Sequence, residues 1–349
     1  MVNVVEVGTV GFERVVRITD DASGLDAIVA VHNINLGPAM GGCRAMKYDS
    51  FNAHMDDALN LAKGMTYKNA LAGLPLGGGK AAINCDGKDL TDDMLTAFAE
   101  GLNILNKNNK MYSTAGDIGT TVAHLAKIAE TTEHVVAATG SDSGTATAYG
   151  VLSAMRGAIR FLGRDITKET VSVTGLGKVG WRLAEFLIEE GASVVASDVN
   201  IEMFNKFKEK YSVPGLVGVT SVGTAHSDGA IWAPCAVGGA LNDITANSLM
   251  DNAIVCGGAN NQLADPYINN ILTEKNITYV PDYLANAGGV IIIHTRNQLH
   301  EDVEYDHPSV LHNLNRIADT THAVLEEAAA TGRPTSVVAD DLAEEIFMN

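Results

Sequence analysis

Hydrophobic and polar positions alternate over the first 30 residues or so. RVVRITD (14–20) and LDAIVAVHNI (25–34) are β-branched runs separated by the turn-prone DDASG, which predicts two strands joined by a turn. From Phe51 to about Ala72 the period lengthens to that of a helix. Met55, Leu59 and Ala62 share one face, with Ala58, Leu61 and Met65 beside it. LPLGGGKAAINCD (74–86) reads as a loop entering a short strand. A helix is expected from Thr91 to about Asn106, with Asp92 and Asp93 at the positive end of its dipole, and another past Ala115-Gly116-Asp117.

The small and polar residues of ATGSDSGTA (138–146) mark a hinge or linker. Beyond it strands and helices alternate. VSVT is a strand, KVGWRLAEFLIEEG a helix and ASVVASDVN a strand. A helix at about 201–211 then precedes short apolar strands near Ala230–Trp232, Ala253–Val255 and Ile277–Val280. That alternation predicts a parallel, doubly wound sheet. Two helical patterns, at about 308–331 and 335–347, close the chain.

Composition narrows the chemistry. At 349 residues there is room for two domains, and 46% hydrophobic with 19% charged residues describes a folded chain. The net charge of -18 argues against nucleic acid as a partner, which needs clustered Lys and Arg. Cys43, Cys85, Cys235 and Cys256 form no CxxC pair, and the histidines form no HxxxH or HxH cluster, so no metal is expected. Cys43, with no histidine near it in sequence, reads as a buried small residue rather than a nucleophile. The opening MVNVVEVGTVGFERVV lacks a basic stretch followed by an apolar one, and no apolar run approaches a membrane span. A cytoplasmic protein without membrane contact is the expectation.

GLGKVG places Gly175, Gly177 and Gly180 at G-x-G-x-x-G spacing, after a strand and at the start of a helix. Asp198 ends the next strand. This is the context of a dinucleotide fingerprint. Gly175 allows the tight turn, Gly177 lets the backbone approach a pyrophosphate at the helix N-terminus, and Gly180 lets helix pack on strand. Leu176, Lys178, Val179 and Val199 belong to the same turn and strand end. Asp198 would accept from ribose hydroxyls and repel a 2′-phosphate, which favours NAD over NADP. Trp232 reads as strand packing.

GGGK (77–80) is not a nucleoside triphosphate loop, because Ala81 stands where Ser or Thr should hold magnesium. Lys68 lies near the end of an apolar-faced helix and Lys80 follows a loop. Asp117 sits between glycines in STAGDIGTT. All three stand among small and apolar residues.

LGPAMGGCR (36–44), MTYKNALAGLPLGGGKAAI (65–83), GDIGTT (116–121), ATAYGV (146–151), GLGKVG, APCAVGGALN (233–242), GGANNQL (257–263) and PDYLANAGGVI (281–291) occur in that order. Together they resemble the glutamate/leucine/phenylalanine/valine dehydrogenase family, its leucine/phenylalanine branch most closely. The resemblance implies an α/β fold of two domains. An N-terminal substrate-binding and oligomerisation domain (1–137) would be joined through the hinge to a Rossmann NAD-binding domain (147–331), with the active-site cleft between them. A C-terminal helix (about 332–349) would pack back on the first domain.

It also implies reversible, NAD-dependent oxidative deamination of an L-amino acid to a 2-oxo acid and ammonia. Lys68 would hold the substrate carboxylate, Lys80 would be the general base, and Asp117 would shuttle the proton of the amino nitrogen. A lysine serving as a base near neutral pH needs a second ammonium nearby, or desolvation, and one pocket holding Lys68 and Lys80 would supply both. The three glycines of GGGK are then expected to clear room for substrate and nicotinamide. Asn261 would contact the carboxylate and help orient the nicotinamide. Pro234, Cys235, Ala236, Ala259, Asn260 and Asn286 would line the dinucleotide cleft. Met40, Gly41, Ala115, Val290 and Ile293 would surround the substrate side chain. With no cation among them glutamate is disfavoured. Branched Val290 and Ile293 favour leucine, isoleucine and valine, while adaptable Met40 leaves phenylalanine as the alternative. A non-catalytic NAD-binding regulator is the contrasting reading, opposed by the complete Lys68, Lys80, Asp117 and Asn261 set. The short 138–146 segment and the end of the chain soon after its last helix differ from the family pattern, leaving a homo-oligomer of either dimeric or octameric form.

Overall fold

The computed structural model describes residues 1–8, 10–136, 143–211 and 230–348. The chain divides into two units. Unit 1 comprises Met1–Ser141, Leu299–Asp302 and Ala343–Asn349, and unit 2 comprises Asp142–Gln298 and Val303–Leu342. Residues 138–142 of the expected hinge lie outside the described residues. Residues 143–146 begin a helix rather than a linker.

Unit 1 is built on six strands: β1 (Asn3–Glu6), β2 (Arg14–Asp20), β3 (Leu25–Asn33), β4 (Ala39–Met46), β5 (Gly77–Asn84) and β6 (Tyr112–Gly116). Their order is β1-β2-β3-β5-β4-β6. The pairs from β1 through β3 to β5 are antiparallel, and β4 runs parallel to both β5 and β6. α1 (Phe51–Leu71) is capped by Ser50, whose side chain accepts from the Ala53 N–H, and α2 (Asp92–Leu105) by Thr91. α3 (Val122–Ala129) follows β6.

Alternation along the strands sends the sheet's two faces to different helices. Val16, Ile18, Val29, Ala81 and Ile83 pack with Phe98 and Leu102 of α2. Val15, Ile28, Ala30 and Ala82 pack with Met55, Ala58 and Ala62 of α1. Three layers result, with β5 near the middle of the sheet.

All of GGGK lies inside β5, where the sequence predicted a loop. The glycines do not clear space for a ligand. A Cβ on Gly78 would stand 2.0 Å from the Thr66 backbone nitrogen, and one on Gly79 would stand 2.7 Å from the Tyr112 ring. They let α1 and a buried tyrosine press directly onto the strand.

Among the described residues, unit 2 holds a parallel sheet of five strands: β7 (Thr170–Thr174), β8 (Ser193–Ser197), β9 (Ile231–Pro234), β10 (Ile254–Val255) and β11 (Thr278–Tyr279), in the order β11-β10-β9-β7-β8. Its helices are α4 (Ser143–Phe161), α5 (Lys178–Glu189), α6 (Ile201–Lys210), α7 (Asp243–Ser248), α8 (Ile268–Glu274), α9 (Asp282–Ala285), α10 (Gly288–Leu299), α11 (Pro308–Thr331) and α12 (Thr335–Met348). The strand order reverses between β8 and β9, which both flank β7. Such a switch point is where doubly wound sheets bind ligands, at the strands' carboxyl ends.

Trp232 is buried and donates from Nε1 to Thr174 Oγ1 at 3.1 Å, as strand packing requires. The buried Glu185 of α5 accepts from Trp181, Arg182, Lys210 and Tyr211, which ties α5 to the end of α6. Burial opposes its charge, but those donors outweigh it and hold its carboxyl at about 2. α12 is shared between the units. Within unit 1, Tyr67 donates to Glu344 and Asn35 Nδ2 to the Phe347 carbonyl at 2.9 Å. Among the described residues no helix is long and apolar enough to cross a membrane.

Gly78→Ala should therefore destabilise the protein by about 1–3 kcal/mol, the usual cost of overpacking. Urea unfolding monitored by circular dichroism checks this, and an unchanged midpoint would disprove the close contact.

Candidate active site

In unit 1, Ala82 of β5 faces α1, so Lys80, two residues earlier on the strand, points to the same side. An ammonium in that position needs a partner. Asp117 supplies it: Lys80 Nζ lies 2.9 Å from Asp117 Oδ2, with the Lys80 side chain only 7% exposed. The Asp117 loop is pinned to β4, because Asp117 N–H donates to Thr120 Oγ1 at 2.9 Å and that hydroxyl donates to the Cys43 carbonyl at 2.9 Å.

A second cation, which the sequence reading left without a role, converges on the same oxygen. Arg44 of β4 donates from Nε to Asp117 Oδ2 at 3.1 Å. Burial would push the Asp117 carboxyl up, but Lys80 and Arg44 together outweigh it and hold the carboxyl below its ordinary range. The Cys43 thiol beside it is pushed up to about 12 by burial, so it stays protonated and is no nucleophile.

Lys68 lies half-buried in the last turn of α1. Met40 and Ala115 are buried on β4 and β6. Gly41 sits where a Cβ would stand 1.8 Å from the Gly79 carbonyl oxygen.

In unit 2 the fingerprint turn leaves the carboxyl end of β7. Gly175 has φ +94°, and a Cβ on Gly180 would stand 1.8 Å from the Gly175 carbonyl oxygen, so both glycines are needed for the turn itself. Over Gly177 nothing lies within 4 Å of a Cβ position, and as N-cap of α5 it offers no side chain to the first N–H groups. That leaves an uncapped helix N-terminus with room above it, where a pyrophosphate fits. Lys178 is exposed and Val179 packs against the Gly258 position.

Asp198 faces the turn. Its carboxylate accepts from Leu176 N–H at 2.6 Å and Asn200 N–H at 2.7 Å. A carboxylate has about four acceptor positions, so it keeps capacity for ribose hydroxyls. Val199 beside it is 77% exposed, an apolar lip that fits a flat base.

Two further loops meet the turn. Ala236, after β9, touches the Gly175 position, and Cys235 touches the Gly180 position. Ala259 N–H donates to the carbonyl of buried Pro234 at 2.9 Å. Asn286 donates from Nδ2 to Asn260 Oδ1 at 2.8 Å, and its Oδ1 is buried without a partner. That orphaned acceptor is suited to an amide N–H such as a nicotinamide carries. These residues fit a dinucleotide.

Asn261 adopts φ +53°, and Asp282 holds it there by accepting its N–H at 3.0 Å. Val290 and Ile293 lie one turn apart on α10, both partly exposed, while Ile291 and Ile292 are buried. Asp282 was also missed by the sequence reading, although it is the second residue of PDYLANAGGVI. Among the described residues no group of three or more His, Cys, Asp or Glu could hold a metal ion.

Both units match known families. Residues 11–134 match the Glu/Leu/Phe/Val dehydrogenase dimerisation domain, and residues 139–206 and 201–342 the Glutamate/Leucine/Phenylalanine/Valine dehydrogenase domain. The chain is an amino acid dehydrogenase. It belongs to the glutamate/leucine/phenylalanine/valine dehydrogenase family. It is 39% identical to the valine dehydrogenase of Streptomyces coelicolor over 343 residues, covering 96% of this chain and 92% of that one. Against the leucine dehydrogenase of Geobacillus stearothermophilus the identity is 38%, covering 97% and 91%. Among solved structures, the L-tryptophan dehydrogenase of Nostoc punctiforme superposes with a TM-score of 0.83 at 34% identity, over 97% of this chain and 96% of that one.

The lowered Asp117 carboxyl gives a pH signature. A group whose folded pKa lies below its unfolded value stabilises the fold above the unfolded value. That contribution disappears as pH falls through the folded one. The melting-temperature gap between wild type and Asp117→Asn should therefore be constant near neutrality and shrink below about pH 4. A gap independent of pH down to acid unfolding would contradict the ion pair.

Proposed function

We propose that the protein catalyses the reversible oxidative deamination of an apolar L-amino acid, branched-chain substrates favoured. One amino acid, one NAD+ and one water become the 2-oxo acid, ammonium, NADH and a proton. The observation that carries this reading is the buried Lys80–Asp117 pair in unit 1, an ammonium and a carboxylate 2.9 Å apart, so that a proton handed to Asp117 leaves Lys80 free to act as base. When bound, the nicotinamide supplies a hydride acceptor for the substrate Cα.

The chain's own residues do the rest. Lys68 holds the substrate carboxylate. Lys80 takes the proton of the water that attacks the imino carbon, and Asp117 exchanges protons with the nitrogen. The short contact between them lets a proton pass from one to the other. Asn261 contacts the carboxylate and orients the nicotinamide amide. Unit 2 binds the dinucleotide on its uncapped α5 terminus, with Asp198 on the ribose selecting NAD. The enzyme works in the cytoplasm as a homo-oligomer, in keeping with the dimerisation-domain match of residues 11–134.

Met40, Ala115, Val290 and Ile293 carry no charge to pair a side-chain carboxylate, which speaks against glutamate. A methylene changes selectivity by only about 1–3 kcal/mol in an apolar pocket, so neighbouring apolar substrates overlap. Met40 favours the second reading, phenylalanine, because an unbranched thioether yields to a ring. The relatives are named for valine, leucine, phenylalanine and tryptophan, none of which carries a side-chain charge.

NADH formation from leucine, isoleucine, valine, phenylalanine, glutamate and alanine tests the reading. Leucine, isoleucine or valine should give the highest kcat/KM and glutamate essentially none. No reduction with any substrate would refute it, and preference for NADP would refute the role of Asp198. Lys80→Ala should lose turnover by roughly 10²-fold or more while binding NAD with unchanged affinity, which calorimetry checks. Near-normal turnover would remove Lys80 as the base.

A further inference from the structure

We propose that Arg44 is the positioning residue of the proton-transfer pair, and that Asp57 and Tyr48 hold it in place. The inference rests on the reading of Asp117 as proton shuttle and extends it inward from the substrate.

The geometry forms a chain of four alternating charges within unit 1. Lys80 Nζ meets Asp117 Oδ2 at 2.9 Å, and Arg44 Nε meets the same oxygen at 3.1 Å. Arg44 Nη1 turns the other way and donates to both oxygens of Asp57, at 3.0 and 3.1 Å. Tyr48 closes the chain by donating its hydroxyl to Asp57 Oδ2 at 2.7 Å. The Tyr48 ring is itself fixed, stacked on His54 at 4.6 Å and 20°. His54 Nε2 lies 2.8 Å from the Ala82 carbonyl, which assigns the ring proton to Nε2.

Each partner comes from a different element. Asp117 follows β6, Arg44 stands on β4, Lys80 on β5 and Asp57 on α1. A guanidinium is planar and presents donors along two edges, so one arginine can bridge two carboxylates in a fixed relation. Asp57 balances the second positive charge, so that Asp117 is oriented by Arg44 without being locked against proton exchange by an uncompensated cation. The Arg44 side chain is 11% exposed, and it therefore acts in a medium of reduced dielectric.

The groups facing this chain are few. Asp117 faces Lys80 from β5, Arg44 and Cys43 from β4, Tyr112 of β6 and Tyr48, and burial keeps the thiol and both phenols protonated. Arg44 faces Asp117 and Asp57, and Tyr48 faces Asp57 and Arg44. His54, its proton affinity lowered by burial, stays uncharged at neutral pH. Arg44 is thus the group whose removal changes the charge seen by Asp117 without removing Asp117 or Lys80.

The test compares Arg44→Gln, Arg44→Lys, Tyr48→Phe and Asp117→Asn by kcat, amino-acid KM and the pH profile of kcat/KM, with leucine and NAD as substrates. Arg44→Gln should lower kcat roughly ten- to hundredfold, part of what positioned proton transfer contributes, with KM within about threefold. Its acid limb should move to higher pH, because Asp117 has lost one of the cations that keep it ionised. Arg44→Lys keeps the charge and loses the fork, so kcat should partly recover with the acid limb near wild type.

An Arg44→Gln enzyme with kcat within about twofold of wild type and an unmoved limb overturns the proposal, provided Asp117→Asn is inactive. A loss of kcat with an unmoved limb and no recovery in Arg44→Lys also overturns it, by showing a structural role alone. Near-normal turnover in Asp117→Asn instead sinks the underlying reading of the shuttle. Should Arg44→Gln fail to fold, Tyr48→Phe decides: a lowered kcat supports the chain, and an unchanged kcat and pH profile overturns it.

Discussion

A lysine ammonium on an inner strand of a sheet cannot stay there alone. Taking it out of water costs several kcal/mol unless a carboxylate stands within reach. Much of unit 1 follows from meeting that demand at Lys80. β6 must run beside β4 so that its carboxyl end delivers Asp117, and the loop after it must be anchored to β4 through Thr120. β4 must then turn Arg44 toward α1, where Asp57 waits. The mixed pairing of the sheet, antiparallel on one side of β5 and parallel on the other, is what places these three strands side by side.

Unit 2 answers a different constraint, that of packing three turns against one another through backbone and small side chains. Three turns at the carboxyl ends of β7, β9 and β10 lie so close that glycine is required where they touch. The result is a surface of N–H groups and small side chains, with Asp198 as its acidic member at the turn. Asp282 imposes on Asn261 a backbone conformation that few residues other than glycine adopt, and so fixes a polar side chain at that surface.

Legibility in the sequence tracked how local each signal was. β2, β3 and α1 were clear because their own side chains repeat with the right period, and GLGKVG was clear because strand, turn and helix are contiguous. β4 and β6, AMGGCRAM and YSTAG, were not seen as strands. They are made of small residues and glycine, and they are strands because neighbours on both sides pair with them. α10 opens with two glycines and an apolar run that no periodicity resolves, yet it is helical in a place where a Cβ on Gly288 would meet Ala146 at 1.9 Å. GGGK was misjudged for the same reason: its glycines answer to Thr66 and Tyr112, contacts that linear order does not display. Arg44 drew no reading of its own, because its partners lie 13 and 73 positions away.

α1 carries Asp57 near its start and Lys68 near its end, and between them Ala58 and Ala62 are fully buried against the sheet. A helix of this length moves as a rod. Any enlargement of those two alanines lifts both charged ends at once, so the reach of Asp57 to Arg44 is set by the thinnest side chains in the layer. A substitution at that helix–sheet seam therefore reaches the ion pairs of the sheet without altering any of their members.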